Sequence, residues 1–263
     1  MKKITAFLVV FFLVCAGCNF AQDSISDADS LWEKRGESFD QNTLIADAAN
    51  IDQAIDIYKK IVDTASGAEK EEATWKLIRA YYYKGKYTVQ DSDTKKKIYD
   101  QGKELGEVAI KEFPDSPGIN LFLSVVWGVW GEEYGIFAAA RKGVAGKMRK
   151  LCEKTIELDP EFDQGGGYRI MGRLYFKAPK IPFILGWPSK KKAVKFLEKS
   201  LEIAPDDLNT KQFLAEALYS QKQKERAVEL MKEILATEEV CEGVAEDANI
   251  KSEVKAILAK WEK

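Results

Sequence analysis

The chain contains no histidine. That removes the commonest general base, the most frequent metal ligand and every serine–histidine or cysteine–histidine nucleophile pair. Cysteine is scarce, four in 263 residues, and no group of cysteines has zinc spacing. No glycine-rich phosphate loop follows an expected strand, and neighbouring carboxylates such as Glu132 and Glu133 read as solvated helix faces. These absences point away from an enzyme, and no cofactor or metal is expected. A charge excess is missing too: 40 Lys and Arg stand against 42 Asp and Glu, for a net charge of −2. No strongly basic surface for nucleic acid is implied. What is present is apolar material, 46% of residues, enough for a buried core.

Long apolar runs are scarce: beside the nearly wholly apolar first helix expected for the third hairpin, with Leu121, Leu123, Trp127 and Trp130, one runs from Ile4 to Ala16 behind Lys2 and Lys3. That run is short for ~30 Å of hydrocarbon and reads as a secretory signal. Its end, Leu13-Val-Cys-Ala-Gly-Cys18, resembles a bacterial lipobox, in which the last cysteine is acylated and becomes the new N-terminus. Ordinary cleavage after Ala21 would put Asn19 where a small residue is preferred. The expected division is a signal over 1–17, a polar tether over 18–30 and a folded body over 31–263. Losing Lys2 and Lys3 takes the net charge from −2 to −4. Acyl chains on Cys18 would hold the chain on a membrane. The expected location is therefore the periplasmic face of a bacterial membrane, the outer one favoured by Asn19 after the cysteine. Cys152 and Cys241 remain. An oxidising compartment permits their disulfide, yet Cys152 falls on a helix seam and reads as a small buried hydrophobe.

The strongest positive signal is a register. Ala193, Leu197, Ser200 and Pro205 are followed by Ala227, Met231, Ile234 and Glu239, each 34 residues on. Apolar residues at offsets of four and three mark a helix seam, and this period marks stacked helical hairpins. The fold class is all-α, a tetratricopeptide-type solenoid of about five hairpins plus a C-terminal capping helix from about Ala245 to Trp261. Ala54, Tyr58 and Ile61 carry the first seam. The second hairpin opens over 73–87, with Gly85 at its turn, and the fourth begins at Gly165. Against that ruler, insertions stand out after Tyr87, Gly131 and Lys177. Trp127, Trp130 and Tyr134 read as helix packing rather than an apolar ligand channel.

First helices of such hairpins face the concave groove. In the fourth hairpin Arg169, Arg173 and Lys177 lie four apart, a stripe of three cations opposite the seam of Met171, Gly172 and Tyr175. The matching stripes carry Trp75, Arg79 and Tyr82 in the second hairpin and Gln212, Glu216 and Tyr219 in the fifth. Two readings stand. The stripe grips a carboxylate, on a small anionic molecule or an acidic partner segment, or Glu216 and neighbouring acids neutralise it from within. A second candidate is the proline-rich loop over 177–188, where Ile181, Phe183, Leu185 and Trp187 imply a lid or an oligomer contact.

The order Arg79-Ala-Tyr-Tyr, Gly102 to Ala109, Trp127 to Gly131, Leu158-Asp-Pro, Gly166-Gly-Tyr-Arg-Ile-Met-Gly-Arg173, Lys177-Ala-Pro and Leu214-Ala-Glu216 resembles the TRAP transporter T-component family, TatT, over roughly residues 30–240. A related pattern occurs in regulator of microtubule dynamics proteins, a eukaryotic role that the secretion signal sets aside. The T-component resemblance implies a periplasmic lipoprotein scaffold that docks another protein, such as a tripartite transporter's solute receptor. A lipoprotein binding a small organic anion or apolar ligand, and an envelope-assembly factor, are the alternatives.

Overall fold

A computed structural model describes residues 24–179 and 186–262. The expected signal, Cys18 and the loop residues Ile181, Phe183 and Leu185 lie outside them. The described chain is an all-α solenoid. Its first hairpin pairs α1 (Ile25–Glu33) with α2 (Ala49–Thr64), across a two-residue antiparallel pair, β1 (Phe39–Asp40) and β2 (Ile45–Ala46). The second pairs α3 (Gly67–Tyr87) with α4 (Ser92–Glu112). The third pairs α5 (Pro117–Tyr134) with α7 (Val144–Leu158), the short α6 (Ile136–Lys142) standing between them. The fourth pairs α8 (Phe162–Lys177) with α9 (Lys190–Ile203), the fifth α10 (Leu208–Ser220) with α11 (Lys224–Ala236), and α12 (Val244–Trp261) follows.

Local chemistry sets these boundaries. Ser24 caps α1 by accepting from the Asp27 amide, while the Asp27 carboxylate accepts from the Ser24 amide. Ala28 and Trp32 of that helix are buried. Helix α1 thus occupies part of the stretch expected to be tether, because its polar first residues form a capping box. Asp91, Ser116, Ser189 and Asp207 cap α4, α5, α9 and α10, each side chain accepting from the amide three residues on. Gly85 is not a turn. It lies inside α3, where a Cβ would come within 2.3 Å of the Tyr99 ring.

The seams predicted from the register are the core. Ala54, Tyr58 and Ile61, then Ala193, Leu197 and Ser200, then Ala227, Met231 and Ile234 are all buried. Full burial of a large apolar side chain contributes about 1.5–3 kcal/mol, so each seam ties its helix firmly to the stack. Trp127 and Trp130 are buried against each other, their rings 5.3 Å apart, and Tyr134 stacks on Trp130. Cys152 is buried and Cys241 exposed, and both are free thiols. Burial pushes the Cys152 thiol up to about 12, fitting a hydrophobic packing role. The insertion after Tyr87 lengthens α4 to 21 residues, against 13 for α11. The insertion after Gly131 forms α6.

The last helix does more than cap the stack. Along one face Gln212 donates to Glu253, and Tyr219 stacks on Trp261 with ring centroids 3.9 Å apart. At its N-terminus α12 reaches the first hairpin: Arg35 pairs with Glu246 at 2.8 Å, and Asn249 donates to the Leu44 carbonyl. Ala245 joins the core cluster of Ala28 and Trp32. The solenoid closes on itself, and its concave side becomes a chamber.

Candidate functional site

The chamber has a volume of about 430 Å³ and is lined from α1, α3, α5, α8, the start of α10 and the segment leading into α12. Of the nine groove residues predicted from sequence, Arg79, Tyr82 and Arg169 face it. Trp75 stands behind Arg79, stacked on Phe122 at 5.5 Å and edge-on to Phe162 at 5.6 Å. Gln212 and Tyr219 are taken up by α12, so that stretch of the expected groove is covered by the chain's own last helix. Trp187 of the expected lid packs edge-on against Tyr175, with Arg149 over its ring at 5.3 Å.

The α8 stripe is neutralised from within. Arg169 bonds Asp207 at 2.6 Å and Asp163 at 2.7 Å. Arg173 pairs with Glu216 at 2.6 Å and lies over Phe213, and Lys177 meets the other Glu216 oxygen at 3.4 Å. Burial disfavours the Arg169 cation, but the charges of Asp207 and Asp163 outweigh it and hold its pKa above the usual guanidinium value.

Asp163 reaches that position through unusual backbone. Asp163, Gln164 and Gly165 have φ of 51°, 56° and 75°, three successive left-handed residues at the head of α8. Only glycine adopts that region without strain, so two of the three carry a cost that the surrounding contacts must offset. The turn swings the Asp163 carboxylate back onto Arg169, two helical turns into α8.

Arg79 is different. Its guanidinium lies over the Trp32 ring at 3.8 Å, with Trp75 at 5.1 Å and Phe122 at 5.9 Å. No carboxylate is within ion-pair distance of it among the described residues, and its buried Nε has no hydrogen-bond partner. Burial pulls its pKa below the ordinary value, with Tyr58 and Asp163 opposing and Arg35 adding to the shift. Aromatic faces attract a cation but do not satisfy a buried N–H donor such as the Arg79 Nε.

Acids that the sequence reading passed over complete the wall. Glu242, just before α12, and Glu246, in its first turn, line the chamber. Burial and the Asp207 charge push Glu242 up to about 8 against the pull of Arg169. Glu246 is raised by burial, with Arg35 opposing. Neither had a local signal, because each acquires its role from residues in distant hairpins. Among the described residues no group of His, Cys, Asp or Glu is arranged to hold a metal, and no helix is long and apolar enough to cross a membrane.

The sequence belongs to a known lineage. The family model described as regulator of microtubule dynamics protein 1-3 matches residues 38–262. The chain belongs to that family. Regulator of microtubule dynamics protein 3 of Rattus norvegicus and its Mus musculus counterpart are each 29% identical over 138 residues. That stretch is 52% of this chain and 27% of either relative, so the chain spans about a quarter of the curated relatives it matches. Among solved structures, a thermophilic TPR protein of Thermus thermophilus aligns with a TM-score of 0.55 at 16% identity, covering 80% of this chain and 91% of that one. That likeness shows a tetratricopeptide-type fold.

Membership in the regulator of microtubule dynamics family overturns one expectation outright. The predicted location, lipid-anchored on the periplasmic face of a bacterial membrane, does not agree with a family whose matched relatives are mammalian. The eukaryotic family set aside on the strength of the apolar leader is the one that matches, and these comparisons lend the T-component resemblance no support.

Proposed function

We propose that this chain is a non-catalytic tetratricopeptide-type interaction scaffold whose concave chamber receives a carboxylate group, held by Arg79. The observation that carries the reading is the difference among its arginines: Arg35, Arg169 and Arg173 are each met by a carboxylate of the chain, and Arg79 is not. A half-buried cation without an ion-pair partner is unfavourable, and a guanidinium offers a carboxylate paired donors. A chamber of about 430 Å³ admits an acidic side chain, a chain terminus or a small molecule, not a helix laid along a groove. Presentation of an acidic group by a protein partner is the first reading, in keeping with the fold. A free small carboxylate is the second, favoured by the closure of α12 onto α1.

Docking of a transporter's solute receptor finds no support in these relatives, and its periplasmic setting is already excluded. The relatives' name speaks of microtubule dynamics, and a partner in that apparatus is the protein class to try first, by co-sedimentation with polymerised tubulin. The direct test is calorimetric titration of succinate and of a glutamate-rich hexapeptide into the wild type, Arg79→Gln and Arg173→Gln. A charge-assisted bond of about 1.5–3 kcal/mol corresponds to a loss of roughly tenfold to a hundredfold in Arg79→Gln, with Arg173→Gln retaining binding. Equal binding by all three proteins would rule out Arg79 as the anchor.

A further inference from the structure

The net charge of −2 conceals a strong polarity. At one edge of the solenoid, where first helices end and second helices begin, lysines and arginines gather at 95–97, 141–142, 147–150 and 190–192. At the opposite edge, where each hairpin hands over to the next, acids gather at 157–161, 202–207 and 238–242. Contacts tie the basic turns together: Lys95 pairs with Glu133, Lys96 lies over Tyr134, Arg149 over Trp187 and Lys192 over Tyr175. Arg141, Lys142, Lys150, Lys190 and Lys191 are exposed and have no ion-pair partner among the described residues.

Two features set this edge apart from an ordinary solvated face. Lys190, Lys191 and Lys192 occupy the first three positions of α9, where the helix dipole repels cations, with no acid in that turn. Local helix energetics disfavour them there, and a sequence that breaks a local rule invites a functional explanation. The second feature is α6. It buries none of its residues and leaves Phe137 89% and Ile136 56% exposed, held between Gly135 and Gly143, both at positive φ. An apolar tip projecting beside unpaired cations is the pattern of a surface that seats in a lipid interface.

We propose that this basic edge, with Phe137 and Ile136 as its inserting tip, docks the folded solenoid on an anionic phospholipid surface. The cations lie along an edge rather than converging in a cleft, which suits a plane of charge better than a single bound group. Each basic side chain near such a surface adds attraction that salt weakens, and the aromatic tip adds a salt-independent part. The opposite, acidic edge faces away from the lipid.

The test is sedimentation of the full chain with vesicles of phosphatidylcholine alone and with phosphatidylserine added, for wild type, Arg141→Glu/Lys142→Glu/Lys190→Glu/Lys191→Glu, and Phe137→Ser. All three share the same N-terminal segment, so differences report the edge. The substituted side chains are exposed, and unchanged circular dichroism and melting temperature confirm the fold. Wild type gains binding with phosphatidylserine and loses it with salt. The charge-reversed protein loses that gain by at least about tenfold, and Phe137→Ser by about threefold. Equal serine-lipid dependence in wild type and charge-reversed protein would overturn the proposal. Capture of wild type by polyglutamate, with no serine-lipid gain, would also overturn it and assign the edge to an acidic protein segment.

Discussion

Two walls of one chamber treat arginine in opposite ways. On the α8 wall, Arg169 sits between Asp163 and Asp207, and Arg173, one turn further along the helix and outside the chamber lining, is paired with Glu216. On the α3 wall, Arg79 has aromatic faces about it and no carboxylate partner. Sequence spacing made these residues look equivalent, members of matching stripes. The difference teaches that a cation's surroundings, not its place in the repeat, separate a structural ion pair from a candidate ligand group. Asp207 illustrates the structural role: it caps α10 through the Thr210 amide while bonding Arg169 from the same carboxylate.

The comparison breaks most sharply at Arg169. Arg169→Gln leaves two carboxylates without their cation, and we expect a loss of about 3–5 kcal/mol, read by urea denaturation. Arg79→Gln removes a cation that no carboxylate neutralises, so its cost should stay well under half of that, near about 1 kcal/mol from the lost ring contacts. If the two substitutions prove equally damaging, the walls are not different in kind.

A smaller effect is expected at the seam of the ring. Arg35→Gln removes the ion pair to Glu246 and the bond to the Glu242 carbonyl. Amides in the first turns of α12 should then exchange hydrogen faster, by about tenfold or more, while those of α10 keep their protection. Unchanged exchange in α12 would mean that the seam is held by apolar contact alone.

The smallest effect is the pH dependence. Glu242 carries a native pKa of about 8 against an ordinary value of 4.5, so the folded chain binds more protons than the unfolded one between those values. Its contribution to stability is present below about pH 4.5 and is lost as pH rises through 8. Asp163 and Glu246 are shifted in the same direction. Melting temperature should fall from pH 5 toward pH 8, and Glu242→Gln should flatten that slope.

Much of the fold was legible because helix seams repeat locally. The 34-residue register located α9 and α11, and the insertions it exposed correspond to the long α4 and to α6. Ring closure was not legible, since it rests on pairs such as Arg35 and Glu246, 211 positions apart. The left-handed run at 163–165 was hidden as well, because Gln164 is not a residue that announces positive φ and Asp163 signals it only weakly. Arg79 was found as a stripe residue, but its ring neighbours Trp32 and Phe122 come from α1 and α5, which no spacing within α3 could supply.

The misplaced location has a physical lesson. The Gly166-Gly167 part of the block behind the T-component resemblance is explained by packing. A Cβ at Gly166 would meet Leu121 at 2.7 Å, and one at Gly167 would meet Ile156 at 2.9 Å. Such glycines report how closely α8 lies on its neighbours, and that requirement says nothing about a compartment.

The central claim is that Arg79 is the one of these chamber arginines whose counter-charge comes from outside the chain. Its most direct test is the melting temperature of wild type, Arg79→Gln and Arg173→Gln against rising succinate at constant ionic strength. Ligand binding to the native state alone raises the melting temperature with concentration. The account predicts that rise in wild type and Arg173→Gln and none in Arg79→Gln. An equal rise in all three, or none in any, would contradict it.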